Sequence, residues 1–479
     1  IKHLRFRNGV QVLFLLSGRH PEYRRASFMK KLTLKEIIVV ASMLFGMFFG
    51  AGNLIFPASM GQLSGSNMWQ AAAGFLITGV GLPLLGVAAL GVSRKDGLLE
   101  LSSRVGRRYG LFFTCALYLT IGPFFAIPRC ATVSYTVGVE GITSGASHTA
   151  GLAVFSLLFF ALVLFFSLRP GEIMTWIGKV LNPLFLLFMG ILLVRALVSP
   201  AGAISDVAPQ GGYAQGAFFT GLLEGYNTMD VLAGLAFGIV VVEAIRGLGA
   251  EEPGEVAKST VKAGVFSSLL MALIYVLVTV MGAQSRGVFP ASENGGEALA
   301  RIAGYYFGTA GALILAATVT VACLKTAVGL ITSCGRTFVK LFPGGPSYRI
   351  WASVFCVLSF LIANLGLNSI IAYSMPVLMF LYPLSIVLIA LTFSHRIFGG
   401  NRLVYQCTMA FTAFGAIFDF LRALPEAISA SPAIGRITVT AGALLPFSKQ
   451  GFGWVCPALA GFVIGLLTCR IRRGMTERE

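Results

Sequence analysis

Charged residues are scarce in this sequence, and their scarcity excludes an ordinary soluble protein. Of its 479 residues, 11% are charged and 56% are apolar, and the mean hydropathy is +0.83. Soluble globular proteins do not have such a composition. The 36 Lys and Arg residues outnumber the 19 Asp and Glu residues, but they lie in short gaps between apolar segments, which argues against nucleic acid as a partner.

Motifs of catalysis and of metal binding are missing as well. The sequence has no G-x-x-x-x-G-K-[ST] loop for ATP, no H-E-x-x-H motif and no C-x-x-C pair. Its eight cysteines and four histidines are scattered singly, which disfavours a disulfide framework and a transition-metal site. We therefore expect no enzyme, no cofactor and no ATPase subunit, so that energy comes from ion or solute gradients.

Long apolar stretches recur from Ile37 to Cys469. A hydrocarbon core of about 30 Å requires about 20 apolar residues per helix, and only helices satisfy the backbone of such runs in lipid. We predict an all-α integral membrane protein with twelve transmembrane helices. The predicted spans are 36–61, 69–93, 111–139, 150–168, 173–198, 228–247, 258–284, 304–338, 348–365, 368–394, 402–421 and 452–471.

The positions of Lys and Arg predict the orientation of these helices. Most basic residues follow the even-numbered spans or lie at the two ends of the membrane region, whereas the predicted extracytoplasmic loop 199–227 contains neither Lys nor Arg. The positive-inside rule then places both termini in the cytoplasm. Residues 1–28 do not resemble a signal peptide. We interpret them as an extension that is disordered or not native, with Met29 as the working start.

Two predicted spans are interrupted by glycine. Span one contains Gly50-Ala51-Gly52-Asn53, and span six contains Thr228-Met229-Asp230 followed by Ala233-Gly234-Leu235-Ala236-Phe237-Gly238. Small residues at such spacing are also typical of close helix packing. However, five spans separate the two segments, so they occupy corresponding positions in two five-helix halves of opposite orientation. Such a pair indicates a substrate site at the membrane midplane of an inverted-repeat carrier.

Four motifs in combination resemble the branched-chain amino acid transport system II carrier family, from about Lys31 to the last helix. They are Gly50-Ala51-Gly52-Asn53 with Phe56-Pro57, Gly122-Pro123-Phe124-Phe125-Ala126-Ile127-Pro128-Arg129, Thr228-Met229-Asp230, and Ala322-Cys323-Leu324 with Thr326-Ala327-Val328-Gly329-Leu330. The resemblance implies uptake of leucine, isoleucine and valine with sodium across the inner membrane of a bacterium. It also implies the five-plus-five inverted repeat of the LeuT type, here with two added helices.

This resemblance suggests a division of the chain. Residues 29–198 would form the first five-helix repeat, 199–227 an extracytoplasmic loop, and 228–394 the second repeat. Residues 395–479 would form the two additional helices and a cytoplasmic tail.

The interrupted helices supply the candidate substrate site. Half-helix amino termini can receive the carboxylate of an amino acid, and freed carbonyls can receive its ammonium group. An aliphatic side chain needs an apolar wall, although a single Phe in a chain with 39 of them is more often ordinary packing. The candidates are Phe48, Phe49, Gly50, Ala51, Gly52, Ala233, Gly234, Phe237 and Leu330.

Resemblance to the LeuT-type pattern also suggests cation sites. Carbonyls of Gly46 and Phe49 would face Ala322 and Thr326, and Asn53 could supply an oxygen to a second site. Lys325 departs from this pattern, because it stands where a cation-binding hydroxyl is expected. We hypothesise that its ammonium occupies or crowds the sodium site; alternatively, Lys325 lines a watery cavity. Sodium is the expected coupling ion, with a proton or the Lys325 ammonium as alternatives.

Arg129 and Asp230 are further charges expected within the membrane. They could pair as an external gate, or Arg129 could form a static ion pair with Glu140.

Two other functions of the protein stay open: a carrier for another small neutral solute, and a channel or non-transporting sensor.

Overall fold

The chain folds as a helical protein in the computed structural model, which describes residues 31–93, 95, 97–140, 146–169, 172–250 and 252–476. Within these ranges every regular element is a helix. The predicted extension 1–28 lies outside the described residues.

Nine α-helices precede the second interrupted segment, some of them separated only by short π-helical or 3-10 turns. They are α1 Leu34–Phe48, α2 Gly52–Ser64, α3 Met68–Leu76, α4 Leu82–Ser93, α5 Leu98–Ser102, α6 Arg107–Leu119, α7 Ala126–Gly138, α8 Ala146–Leu168 and α9 Glu172–Val198.

Ten more α-helices complete the described chain. They are α10 Gly212–Glu224, α11 Asp230–Gly247, α12 Pro253–Ser285, α13 Gly295–Leu341, α14 Tyr348–Ala363, α15 Leu367–Phe393, α16 Arg402–Arg422, α17 Glu426–Ser429, α18 Pro432–Leu444 and α19 Val455–Thr476.

Helices coincide with all twelve predicted intervals. By length and hydropathy, seven helices in the described part of the chain could cross a membrane, if Gly52–Ser93 and Arg107–Gly138 are each taken as one continuous helix. The bent pair Gly212–Thr228 with Asp230–Gly247 would make an eighth. Three shorter apolar helices also occur. The all-helical class is therefore confirmed, while the number of crossings stays a prediction.

The predicted span six, 228–247, agrees with α11 to within two residues, but the predicted loop before it contains a helix. Helix α10 lies within the interval 199–227 that we expected to be a loop. Its glycines resemble loop residues in the sequence, but Gly221 serves packing: an added Cβ would lie 2.0 Å from the carbonyl oxygen of Ala71 on α3. Glycine lets two helix backbones approach this closely.

Close packing also holds α2 against α12. A Cβ at Gly61 would lie 2.1 Å from the Thr279 carbonyl oxygen, and one at Gly282 would lie 2.3 Å from the Ala58 carbonyl oxygen. Helix α7 packs along α13. These contacts surround the first interrupted segment with α7, α12 and α13.

Candidate functional site

The first interruption lies where the sequence predicts it. Helix α1 ends at Phe48 and α2 begins at Gly52. The Gly50 amide, which would donate to the Gly46 carbonyl in a continuous helix, donates instead to Asn53 Oδ1 at 2.8 Å. The break therefore releases the Gly46 carbonyl oxygen for another donor.

That donor is Lys325 on α13. Its Nζ lies 3.3 Å from the Gly46 carbonyl oxygen. Thr326 also lies next to the break. A Cβ added at Gly50 would lie 3.4 Å from Thr326 Cγ2. The Thr326 hydroxyl donates to the Ala322 carbonyl at 3.1 Å. The structure thus brings together four residues predicted for cation binding, with the lysine ammonium on the freed carbonyl.

The second interruption lies earlier than predicted. Met229 has a left-handed backbone (φ 62°) and separates the 3-10 turn Gly225–Thr228 from α11, with a bend of 43° between the two half-helices. A non-glycine residue rarely adopts this conformation. Residues 233–238 are continuous helix, and the prediction that they unwind is wrong.

The glycine signal of span six has a packing explanation. A Cβ at Gly234 would lie 2.8 Å from the Pro83 carbonyl oxygen on α4, so this glycine permits close packing of α11. The Ala233 amide donates to the Met229 carbonyl at 2.9 Å, as in a regular first turn. The break lies instead at the family motif Thr228-Met229-Asp230, from which no interruption was predicted.

A buried polar network joins the two interruptions. The Asp230 carboxylate accepts hydrogen bonds from Asn53 Nδ2 at 2.7 Å and from the Tyr275 hydroxyl at 2.9 Å. Asn53 Nδ2 also donates to the Tyr275 hydroxyl, and the Asp230 amide donates to Thr228 Oγ1 at 3.3 Å. Asn53 and Asp230 are each 2% exposed. The Asn53 oxygen predicted for a second cation site is thus already bonded to Gly50.

Tyr275 of this network was not predicted from the sequence. It lies on α12, is buried, and stacks at a ring distance of 6.5 Å on Phe49 at the first break. A single tyrosine in an apolar helix carries no signal of its own. Only the packing of α12 against α1 and α2 reveals its partners.

Arg129 binds the end of the half-helix that precedes the second break. Its Nη1 donates to the Asn227 carbonyl at 2.7 Å, and its guanidinium lies over the Phe56 ring at 5.0 Å. The predicted static pair with Glu140 is wrong, because Glu140 Oε1 lies 2.9 Å from His148 Nε2 instead. Within the described chain, Arg129 forms no direct ion pair with Asp230 either.

The two charges suit the helix ends that they occupy. Arg129 is at the carbonyl end of one half-helix and Asp230 is at the amino end of the other, as the helix dipoles favour. A Cβ at Gly52 would lie 2.9 Å from Arg129 Nη2, so the glycine of the first break leaves room for the guanidinium.

A cavity of about 430 Å³ extends from the last turn of α1, next to the first break, to an exposed and mainly basic surface. Gly46, Lys325 and Thr326 line its inner part, and Phe237 and Leu330 form part of its apolar wall. Exposed side chains surround its outer part: Glu243, Arg336 and Lys340. The cavity lining does not include the other residues predicted for substrate binding, namely Phe48, Phe49, Gly50, Ala51, Gly52, Ala233 and Gly234. Phe48 is instead buried in the core.

Residues 33–472 match the family model described as branched-chain amino acid transport protein. The chain belongs to this family. It is 52% identical to the branched-chain amino acid permease BrnQ of Lactobacillus delbrueckii over 436 residues, which cover 91% of this chain and 97% of that protein. It is 38% identical to the branched-chain amino acid transport system 2 carrier protein of Pseudomonas aeruginosa, covering 91% and 96%. The resemblance inferred from the four motifs is confirmed.

Solved transporter structures share the fold of this family member. The inward-facing conformation of Mhp1 matches with a TM-score of 0.57 and 14% identity, covering 92% of this chain and 91% of that one. A substrate-bound, outward-open sodium-coupled sialic acid symporter matches with a TM-score of 0.55 and 14% identity, covering 94% and 92%. At this identity the likeness concerns the fold alone.

Proposed function

We propose that this protein is a secondary active carrier that imports leucine, isoleucine and valine together with a cation. It crosses the bacterial inner membrane twelve times as a five-plus-five inverted repeat with two added helices, and both termini are cytoplasmic. Membership in the transport family, the names of its relatives and two interrupted helices in one all-helical fold support this proposal. The absence of an ATP-binding motif leaves gradients as the energy source.

The first break is the observation on which the proposal depends. The amino end of α2 begins at Gly52 and offers backbone amides to a substrate carboxylate. Asp230 already occupies the amino end of α11, and its negative charge would repel a second carboxylate there. We therefore assign the substrate carboxylate to α2 and the aliphatic side chain to the wall containing Phe237 and Leu330. The ammonium is assigned to carbonyls at the end of α1 other than that of Gly46, which already binds Lys325.

Transport itself is tested in proteoliposomes. We expect labelled leucine to exchange for unlabelled leucine at a saturable rate, which a channel or a sensor would not support. Valine and isoleucine should compete with leucine, whereas sugars should not. Competition by an unrelated neutral solute, without competition by valine, would favour the alternative cargo. Sodium, proton and electrical gradients imposed separately identify the coupling ion.

Lys325 bears on the choice of that ion. An ammonium on the Gly46 carbonyl supplies a positive charge where a sodium ion would otherwise bind, so the wild-type carrier should depend weakly on sodium. We expect Lys325→Thr to show a larger ratio of leucine uptake with sodium to uptake without it. Lys340→Thr, at the far end of the same cavity, serves as the control. Equal sodium stimulation in wild type and Lys325→Thr would reject this role and favour a lysine that only lines a watery cavity.

A further inference from the structure

A second pocket lies between the first turns of α6 and α16, away from the helix breaks. We call it the α6/α16 pocket; its volume is about 640 Å³. Arg107, Arg108 and Arg402 line it. Among the described residues, Arg107 and Arg108 form no ion pair or hydrogen bond. The pocket therefore concentrates positive charge that no carboxylate of the described chain balances.

Further features of the pocket suit an anion. The first turn of α6 lines it, and the cap residue Gly106 provides no side-chain hydrogen bond to that turn. Free amides at the start of a helix attract negative charge. Tyr109 also lines the pocket, and its hydroxyl oxygen is buried without a hydrogen-bond partner in the described chain. A buried hydroxyl that lacks a partner is costly, and a turn of the Tyr109 side chain toward the pocket would let it donate to an oxygen of a bound ligand.

The shape of the pocket distinguishes a lipid from a small soluble anion. Below the arginines its wall is apolar, formed by Met409, Ala410 and Ala413 on α16. From Arg402 to Ala413 the helix rises by roughly 16 Å. Phe411 and Phe414 on the same helix are exposed, at 38% and 56%, as expected of side chains that face lipid tails. A free phosphate would leave this wall uncovered.

We propose that the α6/α16 pocket binds an anionic phospholipid, with the phosphate group on the three arginines and one acyl chain along the apolar wall of α16. Basic pockets between membrane helices bind lipid headgroups in this manner. Arg402 is held in place for the role, since its Nε donates to the Val105 carbonyl at 3.2 Å. The proposal does not depend on what the carrier transports.

Native mass spectrometry of the purified full chain tests the proposal. The protein is mixed with equal amounts of phosphatidylglycerol and phosphatidylcholine, and bound lipid is counted. We expect wild type to retain phosphatidylglycerol in preference, and Arg107→Gln/Arg108→Gln to bind it about fivefold more weakly for each arginine removed. Arg349→Gln/Arg396→Gln, which removes two exposed arginines outside the pocket, should bind phosphatidylglycerol like wild type.

Tyr109→Phe provides a variant that keeps the shape of the pocket. It should weaken phosphatidylglycerol binding by a smaller factor, with an unchanged elution profile on size exclusion. Equal phosphatidylglycerol binding by wild type and the Arg107→Gln/Arg108→Gln variant, or an equal loss in the control pair, would overturn the proposal. So would displacement of the lipid by glycerol 1-phosphate at equal concentration, because the site would then be one for soluble anions.

Discussion

At the residue scale, Asp230 is the acceptor that two donors from different helices share. Asp230→Ala would leave Asn53 Nδ2 and the Tyr275 hydroxyl buried without the carboxylate that accepts from them. Each lost hydrogen bond should destabilise the fold by roughly 1–3 kcal/mol. We expect leucine uptake to fall at least tenfold and the melting temperature of the purified protein to drop. Asp230→Asn should recover part of both, because an amide oxygen can accept the same two hydrogen bonds.

Asp206→Ala is the matched control for this variant. Asp206 is exposed and lies in a short 3-10 turn before α10, so its removal should change neither uptake nor melting. If Asp230→Ala transported leucine and melted like Asp206→Ala, the network would be a packing detail without a role in holding the two breaks.

Single residues were predictable from the sequence where a residue type conflicts with its surroundings. Arg129, Asp230 and Lys325 stand out because a charge in an apolar helix requires a partner. Their partners were not predictable: Arg129 uses a backbone carbonyl rather than Glu140, and Lys325 uses a carbonyl freed by a break in another helix. Tyr275 conflicts with nothing in the sequence, and so only three-dimensional packing identifies it.

At the scale of elements, glycine indicated two different structures. In span one, Gly50 and Gly52 mark a break. In α11, Gly234 marks a close approach to α4, and the break is formed instead by Met229 in a strained backbone conformation. Spacing alone does not distinguish an unwound segment from a packing seam, because both favour small residues.

The packing seam between α2 and α12 yields a prediction at this scale. Gly61→Ala would force the two backbones apart, since the new Cβ would lie 2.1 Å from the Thr279 carbonyl oxygen. We expect a loss of roughly 1–3 kcal/mol from overpacking, measured as a lower melting temperature in detergent. Gly304→Ala on α13, where nothing lies within 4 Å of the added Cβ, should leave stability unchanged or raise it slightly. Equal melting of the two variants would show that the seam tolerates expansion.

At the scale of the whole molecule, hydropathy was sufficient to predict an all-helical membrane protein, because lipid permits few other structures for long apolar runs. The extra half-helix α10 was not predictable from hydropathy, since its glycines lower the helical signal while they serve packing against α3. The orientation of the helices was predicted from the positions of the basic residues, and the arrangement of the repeats from the two breaks. Chemical labelling of introduced cysteines tests the predicted orientation.

Helix α13, which is kinked at Gly308 (φ 61°), has a pocket near each of its ends and allows that test. Thr337, near its end, lines the cavity that contains Lys325, whereas Ala300, near its start, lines a separate pocket with Glu293 and Glu297. With both termini in the cytoplasm, a membrane-impermeant maleimide should label Thr337→Cys in inside-out vesicles and Ala300→Cys in right-side-out vesicles, each above the wild-type background. Leucine should slow only the labelling of Thr337→Cys, because the substrate closes or fills the cavity through which the reagent enters. Labelling of Thr337→Cys from the outer side would reverse the predicted orientation, and a rate unaffected by leucine would separate this cavity from the transport path.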